Sequence, residues 1–265
     1  QDSKIQNILD EEYADPSNYP DTVQYELDYA LTVTDPNGNQ VNYSKEMLQL
    51  YFQNEDPDFD LLFDSPEDGQ TYVDKYKASI LANGSKVLAE RVNFAPQPQS
   101  SMSVIDQHTG YVKALIGGRG EKTASLTLNR ATDTTRQPGS TFKILAAYSA
   151  ALDAGGLTLA SVQDDAPYTY AGANGKSVNN YDRRYRGFTT LREAITDSIN
   201  IVTVKTLAQA GVSLGWQYVQ EYGFTTVDSR DMNEALALGG TTQGVSNLEL
   251  TAAYAAIANQ GTYIK

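Results

Sequence analysis

The run from Arg136 through Leu152 (RQPGSTFKILAAYSAAL) joins a turn signal to a helical one. Pro138-Gly139 favours a tight turn, and the Ala- and Leu-rich segment behind it favours a helix. Ser140 then stands at a helix N-terminus with Lys143 one turn further on. A spacing of three puts both side chains on one helix face. That pairing suits covalent catalysis. A serine hydroxyl is a weak nucleophile until a base takes its proton. A lysine amine can be that base once burial or neighbouring cations lower its pKa. The helix N-terminus would also aim backbone N–H groups at an oxyanion formed beside the serine. Taken alone, the same pattern fits an N-capping serine followed by an ordinary first-turn lysine, because Ser-x-x-Lys is a short motif.

Other serine and thiol chemistries are poorly served. There is no cysteine, so neither a disulfide framework nor a thiol nucleophile exists. The single histidine, His108, falls in the turn Gln107-His108-Thr109-Gly110 of an expected hairpin, where it reads as an exposed turn residue. No Gly-x-Ser-x-Gly elbow surrounds Ser140, where Pro138 replaces the first glycine. If Ser140 is a nucleophile, Lys143 is its base.

The charge excludes another class. The net charge is −13, and nineteen acidic against six basic residues lie in 1–97, with fourteen of each thereafter. A nucleic-acid binder needs a basic face, so the acidic first third reads as solvated surface. Its carboxylates Glu55, Asp56, Asp58 and Asp60 lack the spacing of a calcium loop, and no metal is expected. Gly117-Gly118-Arg119-Gly120 lacks the Gly-Lys-Ser/Thr of a phosphate loop. No apolar run approaches the ~18 residues of a membrane span. No signal peptide is visible at Gln1 and there is no initiator Met, so the chain is expected to start within a longer protein.

In chain order, residues 1–20 read as a loosely tied leader. Val23 to Thr34 alternates as a strand, Asp35-Pro36-Asn37-Gly38 turns, and Gln40 to Tyr43 returns. Ser44 caps a helix to Phe52, Ser65-Pro66 opens another ending near Asn83-Gly84, and Lys86 to Phe94 is a strand. These make a small α+β module, residues 1–97, with Pro96 and Pro98 marking its end. In the second region, 98–265, Met102 to Asp106 and Tyr111 to Ile116 form a hairpin. Asp164 to Lys176 reads as loop, followed by a basic run, Arg183-Arg184-Tyr185-Arg186, which suits either a solvated face or an anionic substrate. Thr190-Leu191-Arg192-Glu193 and Ser246-Asn247-Leu248-Glu249 are capping boxes. Between them, Ser198 and Asn200 can converge on one site only if they lie in the connection between two helices. Ser246 to Asn259 carries the Ala, Leu and Ile spacing of a buried helix.

Several of these signals occur in one order: Arg-Gln-Pro-Gly before Ser140-Thr141-Phe142-Lys143, then Asn180-Tyr181-Asp182 and Gly187, then Ser198-Ile199-Asn200, Leu238-Gly239 and Ala253-Tyr254-Ala255. From about Met102 onward the chain resembles the transpeptidase domain of class A penicillin-binding proteins, whose relatives share Ser-x-x-Lys and Lys-Thr-Gly motifs. The resemblance implies an α+β fold of the penicillin-binding-protein and serine β-lactamase kind, an antiparallel sheet covered by helices. It implies a serine D,D-transpeptidase that needs no metal or cofactor, sits on the extracytoplasmic face of the bacterial membrane and is anchored by a segment outside this chain. Its partners would be peptidoglycan stem peptides and β-lactam antibiotics.

By the same resemblance Ser140 is the nucleophile and helps bind substrate. Lys143 is the base, Ser198 relays a proton to the leaving amine, and Asn200 positions the substrate amide and holds Lys143. The backbone N–H of Ser140 is one oxyanion donor. The family's Lys-Thr-Gly does not occur: Lys122-Thr123 is followed by Ala124 and Lys205-Thr206 by Leu207. The expectation is that this chain holds the N-terminal portion of the domain and that the rest of that domain, a further partner, supplies the motif. Related readings are a D,D-carboxypeptidase or serine β-lactamase-type hydrolase, and a non-catalytic penicillin- or peptide-binding module.

Overall fold

The computed structural model describes residues 1–22, 24–120, 127–171 and 176–264. Val23 and the Lys122-Thr123 pair lie outside the described residues. The chain divides into two compact units. One comprises Glu11–Ser100 with Arg119–Ser125. The other comprises Gln1–Asp10, Ser101–Gly118 and Leu126–Lys265.

Helix α1, Ser3–Ala14, opens the chain, where the sequence suggests a loose leader. Two features fix it. Asp2 Oδ1 accepts from the N–H groups of Lys4 and Ile5 at 3.0 and 3.3 Å, capping the helix start. The Gln6 side-chain amide pairs with both backbone groups of Leu115, donating at 3.1 Å and accepting at 3.0 Å. The recurrence of Ile5, Leu9 and Tyr13 every fourth residue was the available signal.

The smaller unit is built on β1 (Gln24–Thr34), whose alternate residues Leu27, Tyr29, Leu31 and Val33 are buried. β2 (Gln40–Ser44), α2 (Lys45–Gln53), β3 (Leu62–Phe63), α3 (Pro66–Leu81) and β4 (Lys86–Gln97) follow. β1 pairs antiparallel with β2, β3 and β4, and α2 and α3 supply Leu48, Phe52, Val73, Tyr76 and Ile80 to one core. Ser65 caps α3 through Asp68 N–H at 3.1 Å. Ser44 occupies the equivalent position before α2 without a side-chain cap bond.

In the larger unit β5 (Met102–Ile105) and β6 (Val112–Ile116) form the expected antiparallel hairpin, and His108 is exposed in its turn. A 3-10 turn, Gly139–Thr141, a π-helical segment, Lys143–Tyr148, and α4 (Ser149–Asp153) then succeed one another. β7 (Val162–Asp165) runs into the stretch expected as loop, Asp164 to Lys176, which also holds β8 (Tyr168–Thr169). β8 pairs with β9 (Ser177–Val178), and β7 with β10 (Gly187–Thr190). Three helices follow: α5 (Leu191–Thr196), α6 (Asn200–Ala210) and α7 (Val212–Glu221). α8 (Asn247–Ala258) comes last. Thr190 and Ser246 both form complete capping boxes. α8 is not the buried helix its composition suggests: only Ala253 and Ala256 are buried, and Ile257 is exposed. α6 is the central helix. Ile201, Val204 and Leu207 pack against Phe142, Leu145 and Ala146 of the Ser140–Lys143 segment. The architecture is α+β.

Candidate active site

The segment that carries Ser140 and Lys143 is not one regular α-helix. Gly139 takes φ +57, and the 3-10 turn it opens leaves Ser140 exposed while Phe142, next to Lys143, is fully buried. The π-helical register begins at Lys143, and Ser149 Oγ donates to the Ile144 carbonyl at 2.8 Å. π-helical turns are uncommon and concentrate at functional sites. A close approach accompanies this one: a Cβ on Gly215 of α7 would lie 2.4 Å from the Ala146 carbonyl oxygen.

The Ser140 turn is braced on backbone. Arg136 and Val245 exchange both backbone hydrogen bonds, at 3.0 and 2.9 Å. Gln137 Nε2 donates to Thr241 O at 3.2 Å, and Tyr254 OH donates to Thr141 O at 2.6 Å. Gly239, at φ +72, comes so close that an added Cβ would meet Gly139 N at 2.5 Å and Gly139 O at 2.6 Å. The side-chain-free positions 139 and 239 therefore belong together, a relation that local sequence does not reveal.

Lys143 is 3% exposed. Its Nζ donates to the Ser198 carbonyl at 2.6 Å, to Ser198 Oγ at 2.8 Å and to Asn200 Oδ1 at 2.6 Å. Every one of these partners is neutral, so no opposite charge among them offsets the desolvation of the cation, and burial lowers the amine pKa from 10.5 to about 8. Ser198 sits between α5 and α6 with φ 53, a conformation uncommon outside glycine, which lets both its carbonyl and its hydroxyl face Lys143. Ser198 Oγ is the only one of the three acceptors that can also donate. Once the ammonium loses a proton, its lone pair can be met there or by another hydroxyl.

Lys143, Ser198 and Asn200 are thus brought together. Ser140 lies one turn before Lys143, and its hydroxyl has no hydrogen-bond partner among the described residues. All three arginines of the basic run are exposed, and Arg186 pairs with Asp182 at 3.0 Å and approaches Asp165 at 3.9 Å. Among the described residues no group of three or more His, Cys, Asp or Glu side chains is placed to hold a metal.

The family model described as the penicillin binding protein transpeptidase domain matches residues 101–265. The chain belongs to that family. Its curated relatives are penicillin-binding proteins of the class A kind. Penicillin-binding protein 1A of Neisseria flavescens is 42% identical over 171 residues, covering 63% of this chain and 20% of that protein. Penicillin-binding protein 1A of Clostridium tetani is 39% identical over 184 residues, covering 64% and 23%. The chain therefore spans about a fifth of the length of these relatives. Solved structures share the fold. Penicillin-binding protein 1A from Haemophilus influenzae superposes with a TM-score of 0.57 at 22% identity, over 94% of this chain and 35% of that one. The penicillin G acyl-enzyme complex of penicillin-binding protein A from Mycobacterium tuberculosis gives 0.52 at 21%, over 62% and 46%. Within this transpeptidase fold, the sequence marks Asn180 and Tyr254 as parts of recurring runs but not their roles, Asn180 in holding the start of α6 and Tyr254 in holding Thr141, and it does not mark Asp165, which holds Asn180.

Proposed function

We propose that this chain carries the nucleophile, base and proton relay of a serine D,D-transpeptidase that cross-links peptidoglycan stem peptides. The observation that supports this most is the Lys143 amine, buried, lowered to about 8 and met, among the described residues, only by Ser198 and Asn200. At pH 7 roughly a tenth of such an amine is neutral, against well under a thousandth of an ordinary lysine.

Neutral Lys143 takes the Ser140 Oγ proton as that oxygen attacks the carbonyl between two terminal D-alanines. The tetrahedral oxyanion is held by backbone N–H groups, that of Ser140 among them. On collapse the C–N bond breaks, Ser198 hands a proton to the departing amine and is replenished by Lys143, and an ester on Ser140 remains. An amine of a neighbouring strand then attacks the ester, its proton returns by the same path, and the new amide is the cross-link. A β-lactam opens by the same first step and stays on Ser140. Asn200 holds Lys143 through Oδ1 and orients the substrate amide. The reading assigns the Lys-Thr-Gly donors to polypeptide outside these residues, which is also where it places the membrane anchor. No helix among the described residues is long and apolar enough to cross a membrane. The substrate proposed, peptidoglycan, puts the site on the extracytoplasmic face.

A fluorescent penicillin should label the protein that carries this chain, with an adduct at Ser140 by mass spectrometry. Ser140→Ala should abolish labelling, and Lys143→Ala should slow it by about 100- to 10,000-fold. Labelling that persists in Ser140→Ala removes Ser140 as the nucleophile.

A further inference from the structure

α6 begins at Asn200, and the residue before it, Ile199, has no side-chain oxygen with which to cap it. The cap comes from twenty residues upstream. Asn180 Oδ1 accepts from Asn200 N–H at 3.0 Å and from Ile201 N–H at 3.2 Å. The neighbouring Asn179 carbonyl accepts from Asn200 Nδ2 at 2.8 Å, which turns Oδ1 of Asn200 towards Lys143 Nζ. The other end of the Asn180 amide is held equally firmly. Nδ2 donates to Asp165 Oδ1 and Oδ2 at 2.8 and 3.0 Å and to the Arg184 carbonyl at 2.8 Å. Asp165 is 0% exposed, Asn180 4%. The Asp165 carboxylate also accepts from Arg186 N–H at 2.9 Å.

We infer that Asn180 and Asp165 form a positioning pair that fixes the first turn of α6, and through it Asn200 and the Lys143 amine. This rests on the transpeptidase reading above. Neither residue touches Lys143, so the pair is not catalytic. A local serine or aspartate at 199 would satisfy the same N–H groups, but the start of α6 would then be free to move with its own loop. Here the cap is tied to a buried anion on β7, and the height of Asn200 follows from where that anion sits. The amide has one usable orientation, because its donors face a carboxylate and its acceptor faces N–H groups. Aspartate at 180 would keep the acceptor and lose the donors, setting one buried carboxylate against another. Asparagine at 165 would offer one acceptor oxygen to two donors, the Asn180 amide and Arg186 N–H, and would present an NH2 to one of them.

The exchange Asn180→Asp with Asp165→Asn restores a donor opposite an acceptor between the two side chains. That makes a double-mutant test possible. The measurement is penicillin acylation of the protein that carries this chain, resolved into non-covalent affinity and the acylation rate constant, with thermal melting alongside. Misplacement by a fraction of an ångström to one ångström costs up to about 100-fold in rate. On that scale Asn180→Asp should lower the acylation constant about 100-fold and Asp165→Asn about tenfold, with affinity changed less than about threefold. The double variant should run at least about tenfold faster than Asn180→Asp alone. A purely structural pair would lower the melting temperature and leave the acylation constant of the folded protein unchanged. That result, or a double variant no faster than Asn180→Asp, overturns the inference. Should Asn180→Asp not fold, an unchanged acylation constant in Asp165→Asn overturns it alone. Ser140→Ala separates the two levels. If wild type labels and Ser140→Ala does not, while the pair variants behave as wild type, only the positioning inference fails. If labelling survives Ser140→Ala, the reading beneath it fails.

Discussion

The two compact units bury different things. In the smaller unit the core is aliphatic and aromatic, with Leu27, Leu31, Val33, Phe52 and Phe63 among its members. Apart from its tyrosines, Ser85 is its one buried polar residue among those described, and the buried Tyr29 hydroxyl has no hydrogen-bond partner among them. The larger unit buries Lys143, Asp165, Asn180, Thr203, Thr206, Asp231, Glu234 and Thr241 beside its apolar residues. Buried polar groups destabilise a fold unless each finds its partner, and a fold that needed only stability would avoid them. Most of those in the larger unit hold something, although the Thr241 hydroxyl is buried without a hydrogen-bond partner among the described residues. Asp165 and Asn180 hold α6. Asp231 Oδ1 accepts from both Thr242 N–H and Thr242 Oγ1 at 2.7 Å, fixing the strand-like run that packs on the Ser140 turn. Lys143 is the one cation of this set, and its neutral partners solvate the charge without countering it. What sets the larger unit apart is the burial of a cation, a desolvation cost that keeps an amine ready.

Three measurements would break or sharpen this contrast. The largest effect is expected from pH. Lys143 titrates about 8 when folded and near 10.5 when exposed, and the base form is the deprotonated one. The acylation constant should fall roughly tenfold per pH unit below about 8 and level off above it. A flat profile between pH 6 and 9 would show that no lysine of this kind gates the step. The same shift has a stability sign. The unfolded chain holds the Lys143 proton up to near 10.5 and the folded chain only to about 8, so the penalty is full below about 8 and fades between those values.

An intermediate effect is expected at Gly239→Ala. The new methyl would press on the backbone of Gly139 at 2.5–3.0 Å, at a positive φ that alanine disfavours. Acylation should slow by about tenfold, since a small displacement of the nucleophile's turn is felt at the reacting atom. An unchanged rate would mean that the turn is held by something other than this contact. The smallest effect on chemistry is expected at Leu27→Ala, in the core of the smaller unit. It should cost about 2–5 kcal/mol of stability, read by calorimetry, and leave the acylation constant of the folded protein as it was. A matching loss of rate would erase the contrast between the units.

Much of the fold was legible in the sequence, and the reason differs from place to place. β1 declares itself by strict alternation, and Thr190 and Ser246 by capping boxes, because those signals lie within a few residues of what they organise. Ser140 and Lys143 stood out for the same reason. α1 went unseen because its anchor is Gln6 pairing with Leu115, far away in sequence. The π-helical segment was unpredictable from Lys143-Ile144-Leu145-Ala146, since that stretch suits an ordinary α-helix and the register shows only in the packed structure. Asn180 was visible as part of a recurring run but not as a cap, because the helix it caps starts twenty residues later. Gly239 has a local reason to be glycine, the left-handed cap that ends the 3-10 turn Glu234–Leu238, but its approach to Gly139 has no local signal.

One consequence of the three hydrogen bonds at Lys143 reaches beyond acylation. An ammonium whose every proton is engaged has no lone pair to offer and no free N–H to present. In that state the amine cannot itself be acylated, carbamylated or alkylated by a reagent that drifts into the cleft, and the serine next to it remains an ordinary alcohol. Reactivity arrives only with the loss of a proton, in roughly one molecule in ten at pH 7. The resting site is therefore guarded against its own nucleophiles by the same contacts that prepare them.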